Sequence, residues 1–208
     1  MPRIKICGIT READAQFAAS LGVDAVGFVL AKSPRRITPE MARKITSSLP
    51  PFVSTVGVFV DMDLDSLRQI AAFCKFDWIQ LHGSESPEYC RALDFSVLKA
   101  IRVSSRQSLK AMAAYSDSVG GFVLDTYVKG QAGGTGKTFD WVIAREAKDY
   151  GPVILSGGLT PENVKEAVCT VDPYGVDISS GVESAPGIKD HLKMRRFVEH
   201  VRYETRKG

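Results

Sequence analysis

Two short apolar runs late in the chain each end on glycine. Val153-Ile154-Leu155 leads into Gly157-Gly158, and Val176-Asp177-Ile178 leads into Ser180-Gly181. Turns of this kind offer backbone N–H groups, and two of them at neighbouring strand ends can hold a phosphate dianion. Cys7 closes the first apolar run of the chain and Asp125 closes the sixth. A thiol works as a base once part of it is thiolate, and a carboxyl works as an acid where its site keeps it protonated. Arg36, Asp61, Gln80 with His82, Arg102 and Asp177 are the other polar residues at or just beyond run ends.

Each of these residues also has a plainer reading. Cys7 suits a small buried hydrophobe, and Asp125 a cap for the loop that follows. Arg36, directly after Arg35, suits one of two solvated charges. Gln80 and His82 suit structural hydrogen-bonders. Asp61 and Arg102 read better as caps or rim charges than as catalysts. The glycine pairs suit ordinary tight turns, although their repetition at consecutive run ends favours an anion. Residue chemistry alone therefore points to a phosphate-binding enzyme and leaves its reaction open.

The elements that must position these residues follow a regular alternation. Short β-branched runs and amphipathic stretches repeat every 20 to 30 residues, which predicts right-handed βα units around a parallel sheet. The predicted strands are 4–7, 25–30, 54–60, 78–81, 97–101, 121–125, 153–155 and 176–178. Gly8-Ile9-Thr10 is expected to turn the chain and cap a helix over 12–21. Thr38-Pro39-Glu40 is an N-cap followed by proline at the first helical position, and Pro50-Pro51 ends that helix. Asp61 or Asp63 should cap a third helix carrying Leu67, Ile70, Ala71 and Phe73. Further helices are expected near 87–93, at 105–115, and from Phe139-Asp140-Trp141. Thr160-Pro161-Glu162 repeats the start signal of the second helix. A final helix over 190–203 should bury Leu192, Phe197, Val198 and Val201. The longest loop, 126–138, holds Gly130, Gly133, Gly134 and Gly136, and its place above a strand end suggests function. Eight strands and about eight helices predict one (β/α)8 TIM barrel domain over residues 1–208. In that fold the loops after strands seven and eight are the usual phosphate site.

Composition bounds the rest. The chain has 208 residues, 44% hydrophobic and 25% charged, which is ordinary for a globular protein. A net charge of +3 is too small to suggest a nucleic-acid partner, and Lys193-Met194-Arg195-Arg196 reads as a solvated helix face. No run approaches the ~18 apolar residues of a membrane span, and the N-terminus lacks the form of a signal peptide. Cys7, Cys74, Cys90 and Cys169 form no C-x-x-C pair, and the three histidines lack metal-ligand spacing. A reduced cytoplasmic enzyme is expected, as a monomer or homodimer, with no metal, membrane or nucleic acid among its partners.

The sequence also resembles the phosphoribosylanthranilate isomerases of tryptophan biosynthesis. The resemblance is carried by Lys5-Ile6-Cys7-Gly8-Ile9-Thr10, Ser33-Pro34-Arg35-Arg36, Gly57-Val58-Phe59-Val60-Asp61 and Gln80-Leu81-His82-Gly83. It continues through Leu124-Asp125-Thr126, Gly133-Gly134-Thr135-Gly136, Ser156-Gly157-Gly158-Leu159 and Asp177-Ile178-Ser179-Ser180-Gly181-Val182-Glu183. Leu30-Ala31 departs from the bulkier or aromatic residue expected before Lys32. The resemblance implies an Amadori rearrangement without cofactor or metal. N-(5-phosphoribosyl)anthranilate becomes 1-(2-carboxyphenylamino)-1-deoxyribulose 5-phosphate. Asp125 would be the acid that opens the ribose ring, and Cys7 the base at the second sugar carbon. Arg36 would bind the anthranilate carboxylate. Gly157, Gly158, Ser180 and Gly181 would hold the phosphate, and Gln80, His82 and Asp177 would line the mouth.

Other readings remain at this point. The histidine-pathway phosphoribosyl-formimino-carboxamide ribotide isomerase runs the same rearrangement, but its pattern has an acid on strand one and its substrate two phosphates. Indole-glycerol-phosphate synthase uses a lysine and a glutamate; Lys5 and Lys99 exist here, without that family's longer N-terminal extension. A non-catalytic phosphoribosyl-binding barrel would keep the phosphate turns and dispense with the acid and base.

Overall fold

The computed structural model describes residues 1–103, 106–125 and 141–204, apart from the side chains of Val142, Tyr203 and Glu204. Eight parallel strands close into a barrel in sequence order. They are β1 (Arg3–Ile6), β2 (Ala25–Val29), β3 (Ser54–Phe59), β4 (Trp78–Leu81), β5 (Ser96–Arg102), β6 (Gly121–Asp125), β7 (Val153–Ser156) and β8 (Gly175–Ile178). Pairing of Lys5 with Ala25 on one side and with Asp177 on the other closes the ring through β1. The helices are α1 (Glu12–Ser20), α2 (Pro39–Ser48), α3 (Leu64–Cys74), α4 (Pro87–Ala92), α5 (Arg106–Lys110), α6 (Trp141–Glu146), α7 (Val164–Val171) and α8 (His191–Glu204). Single 3-10 segments continue α5 over Ala111–Tyr115 and α6 over Ala147–Tyr150. The expected helix start at Ser105, the glycine-rich loop 126–138, and Phe139 and Asp140 lie outside the described residues.

Strand periodicity sorts the side chains into two layers. Val56, Leu98, Ala100 and Val123 form the small apolar cluster inside the barrel. Their neighbours in sequence point outward and meet the helices in a much larger core that includes Phe28, Phe59 and Phe122. Full burial of each such ring contributes roughly 2–3 kcal/mol. The ring of Phe76, just beyond α3, stacks on Phe28 at 5.7 Å and meets Phe59 edge-on at 6.4 Å. It fits there because Gly57 has no side chain, since a Cβ at that position would run into the ring.

Caps set the helix starts. Thr38 accepts from the Met41 N–H, and Asp63, of the two candidate aspartates, accepts from the Ser66 N–H at 2.9 Å. Three expectations need correction. Thr10 does not cap α1: its hydroxyl bonds the Gly187 carbonyl instead, and Arg11 is the N-cap without a side-chain bond. The Thr160-Pro161-Glu162 signal opens a turn and not the helix itself. Asn163 Oδ1 takes the Thr160 N–H at 2.8 Å, and α7 starts one residue later, at Val164. Leu192 is exposed, and Met194 is the residue of α8 that joins Phe197, Val198 and Val201 in the core.

One element was not expected. After β8, a 3-10 turn (Ser180–Val182) leads into an antiparallel pair, β9 (Glu183–Ala185) and β10 (Ile188–Lys189), which sits outside the barrel sheet.

Candidate active site

Three inward positions converge beneath the C-terminal mouth. Lys5 of β1 donates from Nζ to Gln80 Oε1 of β4 and to Asp177 Oδ2 of β8, both at 2.9 Å. The lysine and aspartate side chains are 4% and 5% exposed, so each charge is compensated chiefly by the other. Burial is the largest influence on the Lys5 ammonium and works against it, but Asp177 and Cys7 together overcome it and hold the lysine above its ordinary value. Asp177 Oδ1 is buried and has no hydrogen-bond partner among the described residues.

Cys7 is two residues beyond Lys5 on the same face, just past the end of β1 and buried. Gly27 on β2 makes room for both: a Cβ there would lie 2.8 Å from Cys7 Sγ and 3.1 Å from Lys5 Cε. Burial pushes the Cys7 thiol above the usual thiol range, while the Lys5 ammonium pulls in the other direction and Asp177 adds to the rise. The thiol thus sits next to a cation that stabilises its ionised form.

The polar contacts continue across the mouth. Gln80 Oε1 accepts from Lys5, so its amide Nε2 is the group that faces His82 Nδ1, at 3.4 Å. An amide N–H2 can only donate, which makes Nδ1 the acceptor and leaves the ring proton on Nε2. That nitrogen lies 3.2 Å from Asp125 Oδ2, at the end of β6. Lys5, Gln80, His82 and Asp125 therefore form one chain of contacts from beside the thiol to the carboxyl. Arg102, paired with Asp125 across the β5–β6 register, has an exposed side chain.

Arg36 is exposed on the loop after β2, held by a bridge between Val29 and Arg36. It lines a cleft of about 460 Å³ with Leu30, Ala31, Lys32, Val60 and Met62. Asp61, which also lines the cleft, spends one oxygen on the Ser84 N–H at 2.6 Å, as a loop cap does. A cavity of about 380 Å³ opens at the opposite, N-terminal end of the barrel. It is lined by Arg3, Asp24, Trp78 and Tyr174, and Lys5 is the single member of the polar chain that reaches it.

The glycine turns match their expected positions. Gly157 and Gly158 follow β7 with φ of +79° and +67°, a conformation that costs glycine little. Gly158 faces open space, and its carbonyl is fixed by Asn163 Nδ2 at 3.0 Å. Gly181 packs against the Leu159 carbonyl so closely that a Cβ would collide with it. This contact locks the two turns together. Among the described residues, none of the turn and loop hydrogen bonds uses the N–H of Gly158, Ser180 or Gly181 as donor.

All ten expected site residues thus lie at the C-terminal end of the barrel, on β1, β4, β6, β7 and β8 or on the loops that follow these strands and β2. Lys5 is a further functional residue, and its signal in the sequence is its alternation with Cys7, which puts both on the inner face of β1. Arg35, next to the exposed Arg36, is instead half-buried and bidentate to Glu183 at 2.7 Å for each arm. Nothing in local sequence distinguishes the two arginines.

An eight-stranded βα barrel with its polar residues gathered at the C-terminal mouth defines the class: a (β/α)8-barrel enzyme scaffold. Comparison with known proteins narrows it. The family model of N-(5'-phosphoribosyl)anthranilate isomerase matches residues 4–200. The isomerase of that name from Geotalea uraniireducens is 51% identical over 203 residues, covering 97% of this chain and 99% of that relative. The crystal structure of phosphoribosyl anthranilate isomerase from Thermotoga maritima superposes with a TM-score of 0.91 at 43% identity, over 98% of this chain and 100% of the other. A second such isomerase, in complex with reduced 1-(o-carboxyphenylamino)-1-deoxyribulose 5-phosphate, gives 0.88 at 41% identity over the same shares. The chain belongs to the N-(5'-phosphoribosyl)anthranilate isomerase family.

Proposed function

We propose that this protein converts N-(5'-phosphoribosyl)anthranilate to 1-(2-carboxyphenylamino)-1-deoxyribulose 5-phosphate, a step of tryptophan biosynthesis. The observation that carries the reading is the placement of Cys7 and Asp125 at the ends of β1 and β6, joined through Lys5, Gln80 and His82. The family membership supports the same assignment.

In this mechanism Asp125 is the general acid. Its Oδ2 accepts from His82 Nε2–H, which holds the carboxyl at the mouth where it delivers its proton to the ribose. Transfer of that proton to the ring oxygen breaks the bond to the anomeric carbon, and the anthranilate nitrogen lone pair forms a C=N+ bond. Cys7, as thiolate, then takes the proton from the second sugar carbon. The electrons of that C–H bond form the C=C of an enolamine and neutralise the iminium nitrogen. Protonation at the first carbon and loss of the hydroxyl proton give the ketone. No electrons leave the substrate, and acid and base end the cycle needing only to exchange a proton.

Arg36 binds the anthranilate carboxylate, whose planar fork suits a guanidinium, with the ring in the cleft walled by Leu30, Val60 and Met62. The N–H groups of Gly157, Gly158, Ser180 and Gly181 hold the phosphate. Asp177 Oδ1, which lacks an internal donor, accepts from a sugar hydroxyl, and Gln80 and His82 line the same wall. Residues 1–208 act as one domain on a phosphorylated small molecule, in the cytoplasm, as a monomer or homodimer, with no membrane or nucleic-acid partner. The test is a fluorescence assay on freshly prepared phosphoribosylanthranilate beside the histidine-pathway ribotide. Turnover of the first alone is expected; no turnover of it, or equal turnover of both, would overturn the assignment.

A further inference from the structure

Behind the proposed phosphate turn lies a buried cluster of charges that the mechanism does not use. Lys189, at the end of β10, has a side chain with no exposed surface. Its Nζ donates to Glu183 Oε1 at 3.0 Å, to the Ser179 carbonyl at 3.1 Å and to Ser179 Oγ at 3.4 Å. Glu183 faces it across the β9–β10 pair and also takes both arms of Arg35 and the Gly187 N–H at 3.2 Å. Ser179 Oγ and the Arg35 side chain crowd over Gly8, where a Cβ would lie 2.9 Å and 2.7 Å from them. Burial would raise the Glu183 carboxyl, yet the two cations overcome this and keep it below the usual range.

Glu183 is shared between Lys189 and the partly exposed Arg35, and it does not fully compensate the lysine: burial outweighs it and depresses the Lys189 ammonium below its ordinary range. A buried excess charge is costly unless a counter-charge approaches it. Here the ammonium grips Ser179, the residue immediately before the turn whose Ser180 and Gly181 N–H groups face the proposed dianion. We propose that Lys189 is a positioning residue for the substrate's phosphate: it fixes Ser179 so that the Ser180 and Gly181 donors converge, and it supplies the buried charge that the dianion neutralises. Glu183 keeps that lysine in place and, through Arg35, ties the loop bearing Arg36 to the same anchor. The inference rests on the phosphate assignment made above for Ser180 and Gly181.

The experiment measures KM for phosphoribosylanthranilate and the competitive inhibition constant of inorganic phosphate in the wild-type protein and in Lys189→Met. The wild type should turn over the substrate and be inhibited by phosphate; absence of that inhibition refutes the phosphate turn itself. In Lys189→Met both constants should rise about tenfold or more, the loss expected for a charged contact, and by a larger factor than any fall in kcat. Lys189→Arg should restore part of the affinity. A variant with lower thermal stability or lower kcat but unchanged KM and phosphate inhibition would show a merely structural lysine and sink the inference alone. If Lys189→Met folds poorly, the Lys189→Met/Glu183→Gln double variant removes the pair as a unit. It must show the same loss of phosphate affinity, and wild-type phosphate inhibition in it would be equally fatal.

Discussion

At the scale of single residues, the thiol and the carboxyl carry separable expectations. Cys7→Ala and Asp125→Asn should each lower kcat by about 10²- to 10⁴-fold, the usual share of a positioned acid or base, while KM stays near wild type. Steady-state kinetics on purified variants decides it, and near-normal turnover in either would remove that residue from the chemistry. Arg36→Ala should instead act on KM, by roughly tenfold or more for a lost charge-assisted bond; an unchanged KM would argue against the carboxylate contact. The buried Cys7 thiol is displaced upward by desolvation. The base is therefore mostly protonated in the free protein at neutral pH, and kcat/KM should climb with pH through and beyond the ordinary thiol range. A plateau already reached near pH 7 would contradict that environment.

At the scale of elements, the caps make the simplest forecast. Thr38→Ala and Asp63→Ala each remove a side-chain acceptor from a helix start, at about 1 kcal/mol. For a domain of this size that is a drop of roughly 2–4 °C in Tm, read by calorimetry; kcat should be unchanged in Thr38→Ala, whereas Asp63 also lines the cleft beside Arg36, so Asp63→Ala is read by stability alone. These two helix starts were legible in the sequence because Thr38-Pro39 and Asp63 are local signals. So were the eight strands, whose β-branched runs need only their neighbours to be read. Thr10 and Thr160 show the limit. Each hydroxyl sits where a cap would be expected, but a distant carbonyl, Gly187, claims the first, and Asn163 reorganises the turn around the second. The β9–β10 pair is illegible in the sequence for the same reason. Two or three residues per strand carry no periodicity, and its hold on Arg35 and Ser179 is visible only once the chain has folded back on itself.

At the scale of the whole molecule, ionic contacts between distant segments tie the barrel's ends together. Asp14 is fully buried in α1 and accepts from Arg11, from the Lys189 N–H at 3.1 Å and from His191 at 3.0 Å. Burial would raise its carboxyl, but these donors prevail and it titrates below the usual range, as Glu183 does. Carboxyls depressed in the folded state stabilise it fully above their unfolded values, about 3.9 for Asp and 4.3 for Glu. That stability is lost as pH falls through the lower, folded values. Asp14→Asn should thus be clearly less stable than wild type near pH 7, with the gap shrinking as the pH drops below about 4. Urea unfolding at both pH values tests this, and a gap independent of pH would refute it.

The ion pair between Lys5 and Asp177 joins residues 172 positions apart, and it lies on the seam where β1 meets β8. Contacts of such separation form only after the intervening chain has been gathered in. The floor under Cys7 is therefore absent from any partly closed sheet, however complete its other seven strand pairings are. During refolding, recovery of turnover should coincide with the last event and trail the return of helical signal. A chain broken or permuted elsewhere on the ring would keep its chemistry only if that one seam still closes.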